Sequence, residues 1–164
     1  MVRRALRSAH TDSVRKMITL LPIAQRLEDN VTFAAIPDCT EILTMNVRYY
    51  EMIGYRPPWI GYFAESDGVL KGSGGFKGAP FKGRVEIAYG TFSQFRNQGI
   101  GTAICRKLVE IARATDPTVL IAARTLPDNN FSTRILQKNG FVWVGMVYDN
   151  DDGDVWEWHY VPPA

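Results

Sequence analysis

The stretch Arg96-Asn97-Gln98-Gly99-Ile100-Gly101 stands where an extended run, Arg84 to Phe92, gives way to a helical one from Gly99 to about Ala114. In that second run Ile100, Ile104, Leu108 and Ile111 recur at helical spacing and make one apolar stripe. A strand, a glycine-bearing turn and a helix together form an anion site. The first helical turn leaves backbone N–H groups unpaired, and the helix dipole is positive there. Gly99 and Gly101 leave room for a phosphate to approach the backbone closely.

Working outward, Met17 to Ile23 reads as an opening strand. Asp38 followed by Glu41 is a capping-box pattern before a helix carrying Ile42, Met45, Tyr49 and Met52 on its apolar face, and Gly54 closes it. Trp59 to Ala64 and Val69 to Phe76 read as a hairpin across Glu65-Ser66-Asp67-Gly68. Beyond the central helix come a strand at Thr118 to Ala123, a helix at Asn130 to Asn139 stopped by Gly140, and strands at Phe141 to Tyr148 and Val155 to Tyr160. Alternation in the last strand sets Trp156, Trp158 and Tyr160 opposite Val155, Glu157 and His159. This order implies a mixed sheet covered by helices, an α/β fold.

The chain has 164 residues, enough for one core without disulfides, and its 19 Lys plus Arg nearly balance 17 Asp plus Glu. That balance gives little reason to expect a nucleic-acid partner. Much of the excess lies early, where Arg3, Arg4, Arg7, Arg15 and Lys16 meet only Asp12. Residues 1–16 are therefore expected to be a flexible extension and residues 17–164 a single domain; a nucleic-acid tail or an organellar presequence is the competing reading. No signal-peptide core or membrane-length apolar run occurs, so no membrane partner is expected. Cys39 and Cys105 stand far apart without a neighbouring His, which fits a reduced, cytoplasmic setting and no metal site.

Two other stretches compete for a ligand. In Gly72-Ser73-Gly74-Gly75-Phe76-Lys77-Gly78 the third glycine of a dinucleotide fingerprint falls on Lys77 and no helix follows. Those glycines suit a bent strand or a close backbone approach. Asp149 to Asp154 is acidic enough for a calcium loop, but its glycine comes one position late and its flanks are extended, so it reads as a polar hairpin turn.

Arg84-Val85-Glu86-Ile87-Ala88-Tyr89-Gly90 before the glycine turn, and Asn129-x-x-Ser132-x-x-x-Leu136-x-Lys138-x-Gly140-Phe141 after it, complete a pattern in four ordered segments. Through them the chain resembles the GNAT superfamily of acyl-coenzyme-A-dependent N-acyltransferases, in particular the subgroup resembling ribosomal-protein N-terminal acetyltransferases. The resemblance implies a mostly antiparallel sheet of six to seven strands flanked by about four helices, with a splayed central strand pair. It also implies acetyl-CoA as cofactor. The turn residues Gln98, Gly99, Ile100, Gly101 and Thr102, with Arg96, would seat the pyrophosphate. The first strand of the splayed pair would open after a bulge and offer backbone at Gly90 and Phe92, around Thr91, to the pantetheine arm. Asn129, as ligand contact or helix cap, with Ser132 and Lys138, would complete the cofactor side.

For chemistry the same resemblance points to Glu86 as general base, in a pocket lined by Tyr89, Trp59 or Tyr62 that raises its proton affinity. The competing readings of Glu86 are a surface glutamate on a sheet face and a carboxylate that only orients substrate. Leu136 stands where many members carry a proton-donating tyrosine, which leaves Tyr89 or solvent as acid. Tyr50, Trp59, Gly75, Phe76 and Trp156 are the expected acceptor-site residues. The acceptor is a small-molecule amine or a peptide N-terminus, and the protein a monomer or homodimer. The alternative from another class is a non-catalytic acyl-CoA-binding regulatory protein.

Overall fold

In the computed structural model, which describes residues 18–128 and 130–164, the extended segments become seven strands. They are β1 (Thr19–Pro22), β2 (Gly61–Ser66), β3 (Val69–Phe76), β4 (Arg84–Thr91), β5 (Leu120–Thr125), β6 (Phe141–Asp149) and β7 (Gly153–Tyr160). The helices are α1 (Val31–Ala34), α2 (Thr40–Ile53), α3 (Ile100–Thr115) and α4 (Phe131–Lys138). The extension expected over residues 1–16 lies outside the described residues. One sheet takes the order β1-β2-β3-β4-β5-β7-β6, and of its described pairs β4–β5 alone is parallel.

Local chemistry sets the joints. Asp67 and Gly68 both take positive φ, 54° and 76°, as a tight hairpin turn demands. The capping box expected at Asp38 is absent: α2 starts after Cys39 with no side-chain cap, because Asp38 lies in a 3₁₀ turn and accepts a hydrogen bond from Gln94 Nε2 at 2.9 Å. Asn130, one residue beyond Asn129, caps α4 by accepting from the N–H groups of Ser132 and Thr133. Asn129 itself lies outside the described residues.

Cross-strand register sorts the side chains onto two faces. One face carries Tyr62, Phe76, Val85, Ile87, Tyr89, Ile121, Ala123, Trp156 and Trp158, paired in rows across five strands. Helix α3 packs here. Gly72 and Gly74 allow it to, since a Cβ on Gly74 would stand 2.6 Å from Ile104 Cγ2. The glycine run that imitates a nucleotide loop is thus a flat seat for a helix.

The other face carries Phe63, Gly75, Glu86, Ala88, Arg124 and Glu157. Over its β2 end lies α2: Tyr50 donates its hydroxyl proton to Ile23 O and accepts from Gly61 N–H. A Cβ on Gly61 would collide with Asn46 Oδ1 at 2.0 Å.

The parallel pairing of β4 with β5 runs from Arg84↔Leu120 to Ile87↔Ala123 and stops. Beyond that point Arg124 and Thr125 pair with β7 only, so the sheet opens between Ala88–Thr91 and Arg124–Thr125. The expected splay is present, but the expected bulge in β4 is not. Its register with β3 is unbroken from Phe76↔Ile87 to Gly72↔Thr91, and the opening comes from β5 leaving to follow β7. Among the described residues no helix is long and apolar enough to cross a membrane.

Candidate active site

A cleft of about 640 Å³ follows the splay to the N-terminus of α3. Gly99 precedes the helix at φ 79°, with no side-chain cap, and Ala103 is the residue whose N–H donates back to Gly99 O, at 3.1 Å. The N–H groups ahead of it have no partner within the helix and lie at the cleft wall. The two glycines differ in purpose. Nothing approaches the missing Cβ of Gly99, where backbone conformation decides, whereas a Cβ on Gly101 would stand 2.7 Å from Ile135 Cδ1 of α4.

Of the residues expected to hold the cofactor, Gly90, Thr91, Arg96, Gly99, Ile100, Gly101, Thr102, Ser132 and Lys138 line this cleft together. Gln98 and Phe92 do not. The structure adds Asn130, Arg134 and Ile135 to the lining. Arg134 was legible from its i,i+4 spacing to Lys138, which sets both on one face of α4. With Arg96 they bring three cations to the mouth.

The exposed backbone expected at Gly90 and Phe92 lies elsewhere. Lys77 N–H donates to Glu86 O and Phe92 N–H donates to Lys71 O, both across the β3–β4 ladder. Antiparallel ladders alternate, so the even residues Glu86, Ala88, Gly90 and Phe92 turn their peptide groups toward β3. The odd residues Tyr89 and Thr91 turn theirs into the splay. This phase depends on register and cannot be read from the strand alone.

Tyr89 also sends its side chain into the cleft wall, where its hydroxyl donates to Ser132 O at 3.2 Å. Burial, with Cys105 close by, pushes its phenol far above the ordinary range, so it keeps its proton. Leu136 is fully buried in the core, and α4 shows Ser132 and Ile135 to the cleft instead.

Glu86 lies on the opposite face from Tyr89, Trp59 and Tyr62. The aromatic pocket expected around it is absent because an even position in β4 cannot share a face with Tyr89, and Trp59 packs edge-on against Phe76 on that other face. Its neighbours are cations: Lys77 Nζ at 2.5 Å from Oε2, Arg84 Nη2 at 3.5 Å and Arg124 Nε at 3.6 Å from Oε1. Oε2 lacks a hydrogen bond of proper geometry, so charge rather than direction holds Lys77 there. The network continues from Arg84 and Arg124 to Glu157, on to His159 at 2.8 Å, and from Arg124 to Asp149 at 2.9 Å. Burial alone would raise the Glu157 pKa; His159, Arg84 and Arg124 outweigh it and hold it below the usual range. Asp149 is held at about 2 by the N–H of Asp151 and by Arg124.

The acceptor residues are not gathered as expected. Tyr50 is buried with both hydroxyl functions used in the core, and Phe76 is buried under Trp59. Gly75 lies against β2, where a Cβ would meet Ile60 O at 2.7 Å. Trp156 packs edge-on against Trp143 and Trp158 on the face away from Glu86. Tyr49 of α2 lies within the field of this network: burial raises its phenol pKa, and the charges of Lys77, Glu86 and Asp151 act on it as well. Tyr49 also lines a groove along α2 with Ile42, Met45 and Met52.

The sequence matches a family model described as an acetyltransferase (GNAT) domain over residues 24–142. No curated protein matches it significantly. Among solved structures the fold is similar to RimL, a ribosomal L7/L12 alpha-N-protein acetyltransferase in complex with coenzyme A, at 17% identity and a TM-score of 0.65, covering 90% of this chain and 96% of that one. It is similar to the microcin C7 self-immunity acetyltransferase MccE in complex with acetyl-CoA and AMP, at 16% identity and TM-score 0.65, covering 89% and 93%. It is also similar to an acetyltransferase of Salmonella typhimurium that modifies the N-terminal serine of ribosomal protein L7/L12, at 14% identity and TM-score 0.61, covering 90% and 96%. At these identities the likeness is one of fold.

Proposed function

The chain belongs to the GNAT family of acetyltransferases, acetyl-CoA-dependent enzymes acting on amines, and from that premise we propose how its own residues serve an N-acetyl transfer to a primary amine. One observation carries the reading: the free edge of β4 at Tyr89 and Thr91 leads directly into the uncapped start of α3, flanked by Arg96, Arg134 and Lys138. A diphosphate needs convergent N–H donors and cations, and an amide-bearing arm needs an unpaired strand edge. The cleft supplies both, so the residues present fit coenzyme A.

In this reading the N–H groups from Gly99 to Thr102 hold the diphosphate. The peptide groups of Tyr89 and Thr91 orient the pantetheine arm by strand addition, in place of the Gly90 and Phe92 groups expected from sequence. When bound, acetyl-CoA supplies an activated thioester carbonyl. Tyr89 keeps its proton at the cleft wall and offers the hydroxyl as a hydrogen-bond donor to the departing sulfur, which Leu136 cannot do, while solvent supplies the thiol proton.

Glu86 remains the proposed acceptor-side carboxylate. Lys77 already places a primary ammonium on its Oε2, and that side chain is 41% exposed. An incoming amine exchanges with it, passes its proton by way of Glu86 to solvent, and is left neutral beside the splay. Tyr49 and the α2 groove flank that position. Whether the amine is a peptide N-terminus, as in the two L7/L12-modifying relatives, or a small molecule is decided by the same experiment. Release of coenzyme A is measured over a library of amines and peptides with wild type and Glu86→Gln. Acceptor-dependent release that falls at least tenfold in Glu86→Gln supports the assignment. Release unchanged by Glu86→Gln removes it, and release at hydrolysis level with every acceptor favours the non-catalytic binding protein.

A further inference from the structure

Lys77 carries a chemistry that the proposed reaction leaves unused: it is itself a primary amine. Its backbone N–H donates to Glu86 O, and the β3–β4 register, which ends at Phe76↔Ile87, sets Lys77 directly across from Glu86. Cross-strand partners share a face, so both side chains project from the side of the sheet opposite α3. There Nζ lies 2.5 Å from Oε2 of Glu86, a carboxylate only 8% exposed. No other lysine among the described residues has a buried carboxylate as its ion-pair partner; Lys107 meets the exposed Glu110 at 3.9 Å.

The pair is loosely held and faces an open path. Oε2 forms no hydrogen bond of proper geometry, so the flexible four-carbon stem of Lys77 can swing away without breaking a directional contact. Beyond Glu86 the same face of β4 carries Ala88 and Gly90, both exposed and neither larger than a methyl group. Gly90 already lines the cofactor cleft. The pairing of β4 with β5 ends at Ile87, so the sheet opens at Ala88, two residues or about 7 Å along the strand from Glu86. Lys82 makes a contrast, for it sits in the exposed turn between β3 and β4 with its Nζ over the Phe81 ring at 5.4 Å.

We propose that Lys77 is a self-acetylation site, its Nζ taking the acetyl group within the same chain when acetyl-CoA is bound and no other amine is present. The proposal rests on the reading of Glu86 as the acceptor-side base. The ammonium of Lys77 loses one proton through Glu86 to solvent, and the freed lone pair forms the N–C bond to the acetyl carbon. The C–S bond breaks with its electron pair on sulfur. The second N–H proton passes to solvent and solvent returns one to the thiolate, so the products are an acetylated lysine, coenzyme A as thiol and one proton. The new amide is neutral, which takes from Glu86 its nearest cation and leaves the carboxylate to other amines.

The test maps acetylation of the full chain by mass spectrometry with two acetyl donors, Lys82 serving as the internal control. With N-acetoxysuccinimide, which needs no binding site, Lys77 is expected to label several-fold more slowly than Lys82, because Glu86 holds its ammonium. With acetyl-CoA and no added amine the order is expected to reverse, Lys77 labelling at least about 10²-fold faster than Lys82. That rate is expected to be first-order and independent of protein concentration, as a transfer within one chain requires. Glu86→Gln, checked for folding by circular dichroism, is expected to bring Lys77 down to the Lys82 rate, and the wild-type comparison stands whether or not this variant folds. Lys77 that labels no faster than Lys82 with acetyl-CoA, at a rate that scales with protein concentration, or no more slowly than Lys82 with the free reagent overturns the proposal. Release of coenzyme A to added amines that depends on Glu86 while Lys77 stays unlabelled overturns this proposal alone. Lys77 labelled as fast in Glu86→Gln as in wild type removes the base assignment and the proposal with it.

Discussion

Replacing Gly99 and Gly101 separately by alanine distinguishes backbone conformation from packing at the diphosphate seat. Gly99 has φ 79° and open space around its missing Cβ, so Gly99→Ala meets no atom and costs only the left-handed strain. That strain is about 1–2 kcal/mol, less part of what glycine loses on folding, for a net of about 1 kcal/mol. In a chain of this size the melting temperature falls by about 2–4 °C. The larger effect is on binding. If relief of strain turns one N–H away from a doubly charged ligand, about 1.5 kcal/mol is lost, close to tenfold in affinity. Gly101→Ala has ordinary helical backbone but places its Cβ 2.7 Å from Ile135 Cδ1 and 3.3 Å from Thr91 Oγ1. Gained helix propensity of about 1 kcal/mol is offset by about 1–3 kcal/mol of overpacking, so stability changes little while α4 is pushed outward. Scanning calorimetry and calorimetric titration with coenzyme A read both quantities. Gly99→Ala with lowered stability and undiminished coenzyme A affinity would refute the placement of the diphosphate at this turn.

Asn130→Ala removes an acceptor of two backbone N–H groups and is expected to cost about 1 kcal/mol in a denaturant titration, with no loss if the cap is idle. Asp149 has its pKa lowered from 3.8 to about 2, so its stabilisation is fully present above about pH 4 and is lost as pH falls through about 2. Asp149→Asn is expected to flatten the urea midpoint over that window, and an unchanged acid limb would contradict the ion pair with Arg124. Tyr89→Phe keeps the ring but removes the proton. Turnover is expected to drop about 10²-fold or more with coenzyme A affinity kept, whereas equal losses in both would assign Tyr89 to binding alone.

Much of the donor side was legible because its signals are local. The turn from Arg96 to Gly101, the stripe of α3 and the stop at Gly140 each depend on a few neighbouring residues. So did the order of strands, whereas the splay was expected from the family resemblance and not from any local signal. What was not legible depends on long-range register. Gly90 and Phe92 looked like the exposed backbone, yet the phase of β4 is set by Lys71 and Lys77 in another strand, which gives the edge to Tyr89 and Thr91. Tyr50, Trp59, Phe76 and Trp156 looked like a pocket wall, but an aromatic side chain carries no mark of whether it faces a core or a ligand. Tyr50 spends its hydroxyl on Ile23 and Gly61. Glu86 was correctly set apart from Val85 and Ile87 by alternation. Of its cation neighbours, Arg84 lies two residues away in β4 itself, but Lys77 and Arg124 come from outside that strand, and no local pattern announces those two.

Amide exchange resolved residue by residue tests the account most directly, because it reads the phase of β4 and the ligand together. In the free protein the N–H groups of Tyr89 and Thr91 are predicted to exchange fast, and those of Ala88, Gly90 and Phe92 slowly. Saturating coenzyme A is predicted to slow Tyr89 and Thr91 by tenfold or more and to leave the other three as they were. Tyr89 and Thr91 amides that remain fast with coenzyme A bound would contradict the claim that this strand edge holds the donor.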